Sequence, residues 1–452
     1  MAAAARTAQT RTRAQTVIVG LGRTGLSCAR YLARRGEAFA VTDSRREPPE
    51  LKHLHELAPQ APVHVGGFDT TLLEGAALVI ASPGVSLREP FLVEAARRSI
   101  PIVGDIELFA RNATAPIAAI TGTNGKSTVT TLVALMAQEA GRKTLAGGNL
   151  GRPALELFNE PAPELYVLEL SSFQLETTQS LRCASAAVLN VTSDHMDRYA
   201  DMNEYAAAKA RIFAGAAVAV TTLDDPYVRA MSTRDARKLT FSLEPERGAD
   251  YSAQREGGEL VLMRGVQRIA AMSELKLAGA HNAANALAAL AMCEGLGLPL
   301  APCVRALKAF VGLPHRSQWV ADIAGVRYVD DSKGTNVGAT LAAVAGMDGP
   351  LVLIAGGQGK GQDFTPLADA FRHKVREVIL IGQDAPAIDA VLTDVCQTER
   401  ASDMEHAVHL ASQVARPGDT VLLSPACASL DMFRDYAHRG DVFAAAVRRL
   451  AS

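Results

Sequence analysis

The stretch Ala118-Ala119-Ile120-Thr121-Gly122-Thr123-Asn124-Gly125-Lys126-Ser127-Thr128 ends in the Gly-Lys-Ser of a phosphate-binding loop. An isoleucine stands where the usual G-x-x-x-x-G-K-[ST] pattern has its first glycine. The remaining residues still suit a polyphosphate. Gly122 and Gly125 permit a nest of backbone N–H groups around an anion, Lys126 can reach the β and γ oxygens, and Ser127 or Thr128 can offer a hydroxyl to Mg2+. Ile120 then completes the strand-like run Ile117–Ile120. The apolar series Val129, Leu132, Val133, Leu135 and Met136, closed by Gly141, is the helix that must follow. Strand, glycine loop and helix stand in the order an ATP site requires.

A second glycine pattern, Gly20-Leu21-Gly22-Arg23-Thr24-Gly25, follows the apolar run Thr16–Val19, and Asp43 closes the next strand-like run about 20 residues on. Its glycines let backbone N–H groups approach a diphosphate at a helix N-terminus, and Asp43 could accept from a ribose or a base. The pattern names a phosphate shape, which a dinucleotide or any other diphosphate would satisfy.

Acid and base groups follow the strand-like runs Leu165–Leu168 and Ala186–Val191, as Glu169 and as Asp194-His195. At strand C-terminal ends they could hold Mg2+ or orient a substrate, although a capping carboxylate or a hydrogen-bonded loop histidine explains each singly. Lys209 in EYAAAKARIF reads from the pattern alone as a solvated helix lysine. Asn282 and Asn285 share a helix face where they could read an adenine edge, with helix capping as the competing use of Asn282. Farther on, His315-Arg316 forms a cationic hinge, and three loops after apolar runs carry Asp331, Lys333, Thr335, Lys360 and Ser429. Cations, hydroxyls and amides at three strand ends suit a small dicarboxylate.

These residues need a scaffold of alternating strands and helices. Runs at Thr16–Val19, Ala77–Ile80, Leu165–Leu168, Ala186–Val191, Leu351–Ile354, Val378–Ile381 and Thr420–Leu423 alternate with Ala/Leu-rich helical stretches. The pattern predicts an α/β chain of three domains: Rossmann-like at the N-terminus, P-loop ATPase-like with a mostly parallel sheet in the centre, and Rossmann-like at the C-terminus. Changes of texture at Gly104-Asp105 and Gly312-Leu313-Pro314 put these at 15–104, 105–312 and 313–452, after a disordered tail over 1–14.

With 452 residues, 48% of them hydrophobic, core size is not limiting. A formal net charge of -2 gives no track for nucleic acid and no attraction to an anionic membrane surface. The six cysteines (28, 183, 293, 303, 396, 427) are scattered without a C-x-x-C, as reduced thiols in a cytoplasm would be. No apolar run has the roughly 18 residues that span a bilayer. The basic, acid-free segment MAAAARTAQTRTRAQT reads as a tail more simply than as a transit peptide.

Taken together, GLGRTGLS, ASPG, GDIELF, TGTNGKST, YVLELSSFQLE, NVTSDHMDRY, GLPHR, DDSKGTN and LLSPACASLD resemble the Mur ligases, in family order and over nearly all of the chain after the tail. TGTNGKST is shared with folylpolyglutamate synthases, whereas ELSSFQLE, DHMDRY and SPACASLD are the specific stretches. The resemblance implies a cytoplasmic, monomeric ATP-dependent ligase of peptidoglycan precursor synthesis, adding D-glutamate to UDP-N-acetylmuramoyl-L-alanine through an acyl phosphate. It implies UDP-substrate binding by Gly22, Arg23, Thr24, Asp43, Ser44, Arg45, Asn149 and Ser171. ATP binding would fall to Gly122–Thr128, Asn282, Asn285, Arg316 and Asp331. Mg2+ would lie at Ser127, Glu169, His195 and Lys209, the last matching a lysine that the family carries as a carbamate. D-glutamate would meet Thr335, Lys360, Ser429, Leu430 and Tyr436, with Lys126, Glu169, His195, Lys209 and Lys333 in catalysis. Arg23, Ser44, Gly334 and Tyr436 depart from the common family pattern. Another amino-acid ligase of the superfamily, an NAD-dependent oxidoreductase led by the first glycine motif, and a nucleotide-gated binding protein are the rival readings.

Overall fold

The computed structural model describes residues 16–450 apart from Arg234, Ala278 and Asp348. The tail expected over 1–14 lies outside the described residues. Three sheets carry the chain. The first contains β1 (Thr16–Val19), β2 (Phe39–Asp43), β3 (Val63–Val65), β4 (Leu78–Ala81) and β5 (Ile102–Val103), in the order β3-β2-β1-β4-β5. All its pairings are parallel.

The central strands are β6 (Ile117–Thr121), β7 (Thr144–Gly148), β8 (Leu165–Glu169), β9 (Ser185–Val188), β10 (Val218–Thr222), β11 (Arg237–Ser242), β12 (Tyr251–Glu256), β13 (Glu259–Arg264) and β14 (Gln267–Ala271). The run β6-β9-β10-β11-β12 is parallel, and β12-β13-β14 is an antiparallel meander. The third sheet holds β15 (Gln318–Ile323), β16 (Val326–Asp330), β17 (Leu351–Gly356), β18 (Val375–Ile381), β19 (Gln397–Arg400) and β20 (Thr420–Leu423), ordered β15-β16-β20-β17-β18-β19. Only β15 runs antiparallel there. The expectation of an α/β chain with mostly parallel sheets therefore holds.

The described chain divides into two compact units. One runs up to Ile117 and adds Leu145–Arg182; the other holds Ala118–Thr144 and everything from Cys183 onward. The sequence boundary at 104/105 falls between β5 and the helix Asp105–Asn112, in the first unit. That at 312/313 falls between the helix Leu300–Ala309 and β15, in the second.

Burial follows from parallel pairing, because helices must cover both faces of such a sheet. Every residue of β17 and β20 is buried. Leu353, Phe371 and Leu380 pack on one face of the third sheet, and Ile354, Ile379 and Phe443 on the other. In the first unit, Phe109 stacks on Phe158 at 4.8 Å between centroids and meets Tyr166 edge-on at 5.0 Å. All six cysteines are free thiols, five of them buried. Among the described residues no helix is long and apolar enough to cross a membrane.

Phe109 is fully buried in that aromatic stack. Phe109→Ala is therefore expected to cost about 3 kcal/mol of stability, the usual loss for emptying a ring-sized site, read from chemical denaturation of the two proteins.

Candidate active site

The strand β6 ends at Thr121, one residue later than the sequence pattern suggested, and the helix Lys126–Glu139 begins five residues on. Between them Gly125 takes φ +82°, a left-handed conformation that glycine adopts without strain. A Cβ there would also stand 2.3 Å from Asn285 Oδ1. Lys126 folds back, Nζ donating to Gly122 O at 2.9 Å and Thr123 O at 2.8 Å. The loop backbone is braced from the side by Asn190, whose Oδ1 accepts from Asn124 N at 2.8 Å and whose Nδ2 donates to Asn124 O at 3.1 Å. Thr123 Oγ1 donates to Thr192 O and accepts from Thr192 N, so a second loop fixes the same backbone.

Beside this loop lies a cavity of about 260 Å3, lined by Asn124, Gly125, Thr128, His281, Asn282, Asn285, Arg316, Asp331 and Lys333 among others. The helix Ala280–Gly295 starts at Gly279, so Asn282 is inside the helix and its capping use is excluded. Its Oδ1 instead accepts from Asn285 Nδ2 at 3.4 Å, and the two amides share the face that lines the cavity. His281 lines it too, with Nδ1 buried and without a hydrogen-bond partner among the described residues. Arg316 Nη2 donates to Ser127 Oγ at 2.7 Å. Asp331 accepts from Ser317 N at 3.0 Å and Ser424 Oγ at 2.8 Å. Burial pushes its carboxyl up to about 7, against those two bonds and the Arg316 charge.

Lys209 is 1% exposed, which overturns its reading as a solvated helix lysine. Its Nζ donates to Gly122 O at 2.9 Å and lies 4.3 Å from the Tyr205 ring centroid. His195 stands at φ +58° with Nε2 3.6 Å from Asp194 Oδ2. Desolvation lowers its imidazole to about 4; the nearby Lys360, Lys126 and Lys209 charges act the same way and Asp194 opposes them. It is uncharged at neutral pH, as a metal-binding imidazole must be. The strand before it, β9, stops at Val188, three residues short of the expected run, which leaves Leu189–Val191 in the loop with Asn190 turned to the phosphate side.

In the third sheet β16, β20 and β17 are neighbours and parallel, so their C-terminal ends lie side by side. Lys333 and Thr335 follow β16, Lys360 follows β17, and Ser429 and Leu430 follow β20. Lys333 Nζ lies 4.0 Å from the Tyr436 ring centroid, and Lys360 Nζ is 3.8 Å from Asp194 Oδ1. Ser429 is buried, whereas Leu430 is 66% exposed. The buried Arg439, which sequence reasoning missed, ties two of these loops together by donating to Ser332 O at 2.8 Å and Cys427 O at 3.1 Å. Asn190 and Asn336 were missed too, because a single asparagine at a strand or helix end reads as turn chemistry.

The first unit holds the other glycine turn. Gly25 is required there by close packing, since a Cβ would stand 2.0 Å from Gly20 O. Asp43 accepts from Leu21 N at 2.6 Å and from Arg45 N, Nε and Nη2 at 2.8, 2.9 and 2.7 Å. Burial raises that carboxyl, but the bonds from Arg45 and Leu21 outweigh it and hold it below the usual range. Ser44 and Arg45 are exposed beside it, and Arg23 Nη2, two residues beyond Leu21 and next to Gly22 and Thr24, donates to Gly151 O at 2.6 Å. Glu169 ends β8; its Oε1 accepts from Asn149 Nδ2 at 2.7 Å, and its buried Oε2 has no hydrogen-bond partner among the described residues. Ser171 caps the helix Ser172–Glu176 in a capping box with Gln174.

The chain matches three family models: "Mur ligase MurD-like, N-terminal domain" over residues 14–104, "Mur ligase middle domain" over 120–293 and "Mur ligase, glutamate ligase domain" over 315–427. It is 52% identical over 446 residues to the UDP-N-acetylmuramoylalanine--D-glutamate ligase of Nitrosococcus oceani, covering 98% of both chains. It is 51% identical over 440 residues to the ligase of the same name from Methylobacillus flagellatus, covering 96% of this chain and 97% of the other. Among solved structures, MurF from Acinetobacter baumannii superposes with a TM-score of 0.63 at 18% identity, covering 97% of this chain and 94% of that one. UDP-N-acetylmuramate-alanine ligase MurC from Thermotoga maritima gives 0.59 at 19% identity, covering 97% and 99%. These two likenesses speak to the fold alone.

Two outcomes follow from the geometry. Gly125→Ala, strained and in collision with Asn285, is expected to weaken ATP binding about tenfold or more by calorimetry while the fold persists. Asp331, with a raised carboxyl in the folded state, keeps a proton that the unfolded chain has lost; stability therefore falls as pH rises from the ordinary carboxylate range to about 7. The thermal midpoint should drop over that window, and Asp331→Asn should reduce the slope.

Proposed function

The chain belongs to the Mur ligase family, and we propose that it is the ATP-dependent ligase that joins D-glutamate to UDP-N-acetylmuramoyl-L-alanine in cytoplasmic peptidoglycan precursor synthesis. The observation that carries this reading is 52% identity over 98% of both chains with a ligase of that name. In this reading residues 15–104 take the UDP substrate through Gly22–Thr24 and Asp43–Arg45, with Asn149 and Ser171 on its muramoyl part. Residues 105–312 take ATP and 313–452 take the amino acid, and the enzyme works as a monomer.

An amine cannot displace oxide from a carboxylate at neutral pH, so the carboxylate must first acquire a leaving group. The L-alanine carboxylate attacks the γ-phosphorus of ATP, and the bond to the β–γ bridging oxygen breaks, giving an acyl phosphate and ADP. The D-glutamate amine attacks the acyl carbon and loses a proton, and the tetrahedral intermediate expels phosphate to leave the amide. Lys126, at the head of its helix, leaves the loop carbonyls for the phosphate oxygens, and Lys333 faces the charge gathering on the third-sheet side. Asn282 and Asn285 read the adenine, Arg316 and Asp331 hold the ribose and phosphates, and Thr335, Lys360, Ser429, Leu430 and Tyr436 receive D-glutamate.

The described residues contain no cluster of three or more His, Cys, Asp or Glu side chains, so no all-protein cage for a cation exists among them. Mg2+ does not need such a cage, because waters and substrate phosphates complete its shell beside one or two carboxylates. The orphaned Glu169 Oε2 is a carboxylate oxygen of the required kind. The groups that would bind Mg2+ are Glu169 on the first unit and Ser127, His195 and a carbamylated Lys209 on the second, and the metal when bound would supply charge neutralisation of the phosphoryl oxygens. A carbamate forms from an uncharged amine and CO2 with loss of one proton. The burial of Lys209 keeps that group out of bulk water, where it would decompose.

ADP release with UDP-N-acetylmuramoyl-L-alanine and a panel of amino acids tests the assignment: D-glutamate should be selected, and turnover with another amino acid alone, or nicotinamide absorbance changes, would contradict it. Lys126→Ala should abolish ADP release. With 13C-bicarbonate, wild type should show a carbamate carbon resonance that Lys209→Ala lacks; its absence from wild type removes the carbamate.

A further inference from the structure

The helix Val337–Gly346 starts at Asn336, whose Oδ1 accepts from Ala339 N at 2.8 Å. That is an ordinary cap, for which any short acceptor would serve. The same carboxamide makes three more bonds. Its Nδ2 donates to Asn124 Oδ1 at 3.2 Å and to Asp194 Oδ2 at 3.3 Å, and its Oδ1 accepts from Asn124 Nδ2 at 3.4 Å. Asn336 is 3% exposed, and these bonds use both donors and both acceptor positions of its amide. Aspartate or serine could cap the helix equally well but has no pair of N–H donors. The donors are thus surplus to helix formation, and they point at the phosphate loop and at the Asp194 loop.

Two neighbouring features press the same surfaces together. A Cβ on Gly338 would stand 3.0 Å from Thr192 Oγ1, so the first helical turn rests directly on the loop that braces Thr123. Lys360 Nζ approaches the other oxygen of Asp194. Asn336 also directly follows the turn that carries Lys333 and Thr335.

We propose that Asn336 is a positioning residue for the ligase reaction: by pairing with Asn124 and Asp194 it sets the phosphate loop against the turn bearing Lys333 and Thr335, so that the activated carboxylate and the incoming amine meet in register. The proposal rests on the ligase reading. Asn336→Asp keeps the cap, removes both donors and faces Asp194 with a second carboxylate, and Asn336→Ser keeps the cap without the charge. Both are expected to lower kcat for ADP release about tenfold or more, with KM for the UDP substrate unchanged within about twofold; Asn336→Asp should also melt earlier because of the facing carboxylates, whereas Asn336→Ser, without that charge, should melt closer to wild type. Adding Asp194→Asn to Asn336→Asp exchanges donor for acceptor across the pair. It should raise kcat about fivefold or more above the product of the two single effects. A cap-preserving variant that retains more than about half of wild-type kcat, or a double variant equal to the product of the singles, overturns the proposal. If Asn336→Asp does not fold, Asn336→Ser decides. Rates are taken with whichever amino acid wild type accepts, so a chain that refuses D-glutamate loses the D-glutamate assignment while the coupling is still measured.

Discussion

A short loop that must face several phosphate oxygens with backbone N–H groups and one ammonium is the constraint on which the second unit is organised. Such a loop works only if its peptide planes are held in place before the anion arrives, because every degree of freedom left to it would have to be lost on binding. Here the holding is done from several sides. Asn190 grips the Asn124 peptide, Thr192 exchanges bonds with Thr123, and the buried Lys209 donates to the Gly122 carbonyl. Lys126 occupies the loop's own carbonyls, so the cation waits where it is needed with its charge already solvated by the protein.

The electrostatics around the loop follow from that concentration of positive charge. Burial above all, with Lys360, Lys126 and the unmodified Lys209 amine acting the same way, keeps the His195 imidazole neutral despite the adjacent Asp194; a carbamate on Lys209 would take the side of Asp194. Asp194 is the counterweight, buried and shared among His195, Lys360 and Asn336. Asp331 is pushed the opposite way by burial. One small region thus holds an uncharged histidine and a carboxyl titrating near neutrality, each shifted by desolvation rather than by a single dominant partner.

How much of this was legible in the sequence depends on the range of the interaction. The phosphate loop was readable because its parts are consecutive: strand, glycines, lysine and helix occupy one stretch, and the structure moved its strand end by a single residue to Thr121. The strand β20 likewise has the predicted limits. Lys209 was not readable from its own helix, since EYAAAKARIF carries no sign that its lysine faces a loop 87 positions away in the chain. Asn336 was hidden for the same reason; its cap is local, but Asn124 lies 212 positions distant. Asn282 was ambiguous between a cap and a ligand face until Gly279 was found to start the helix. Resemblance to a family bridged part of that gap for Lys209, and nothing bridged it for Asn336.

The central claim is that the phosphate loop serves to activate a carboxylate rather than to drive a motion or bind a cofactor. Its most direct test follows the oxygen. With 18O in the L-alanine carboxylate of UDP-N-acetylmuramoyl-L-alanine, one labelled oxygen should leave with phosphate for each amide formed, because the acyl C–O bond is the one that breaks. Inorganic phosphate free of label, with label retained in the product or absent turnover despite ATP hydrolysis, would contradict the account.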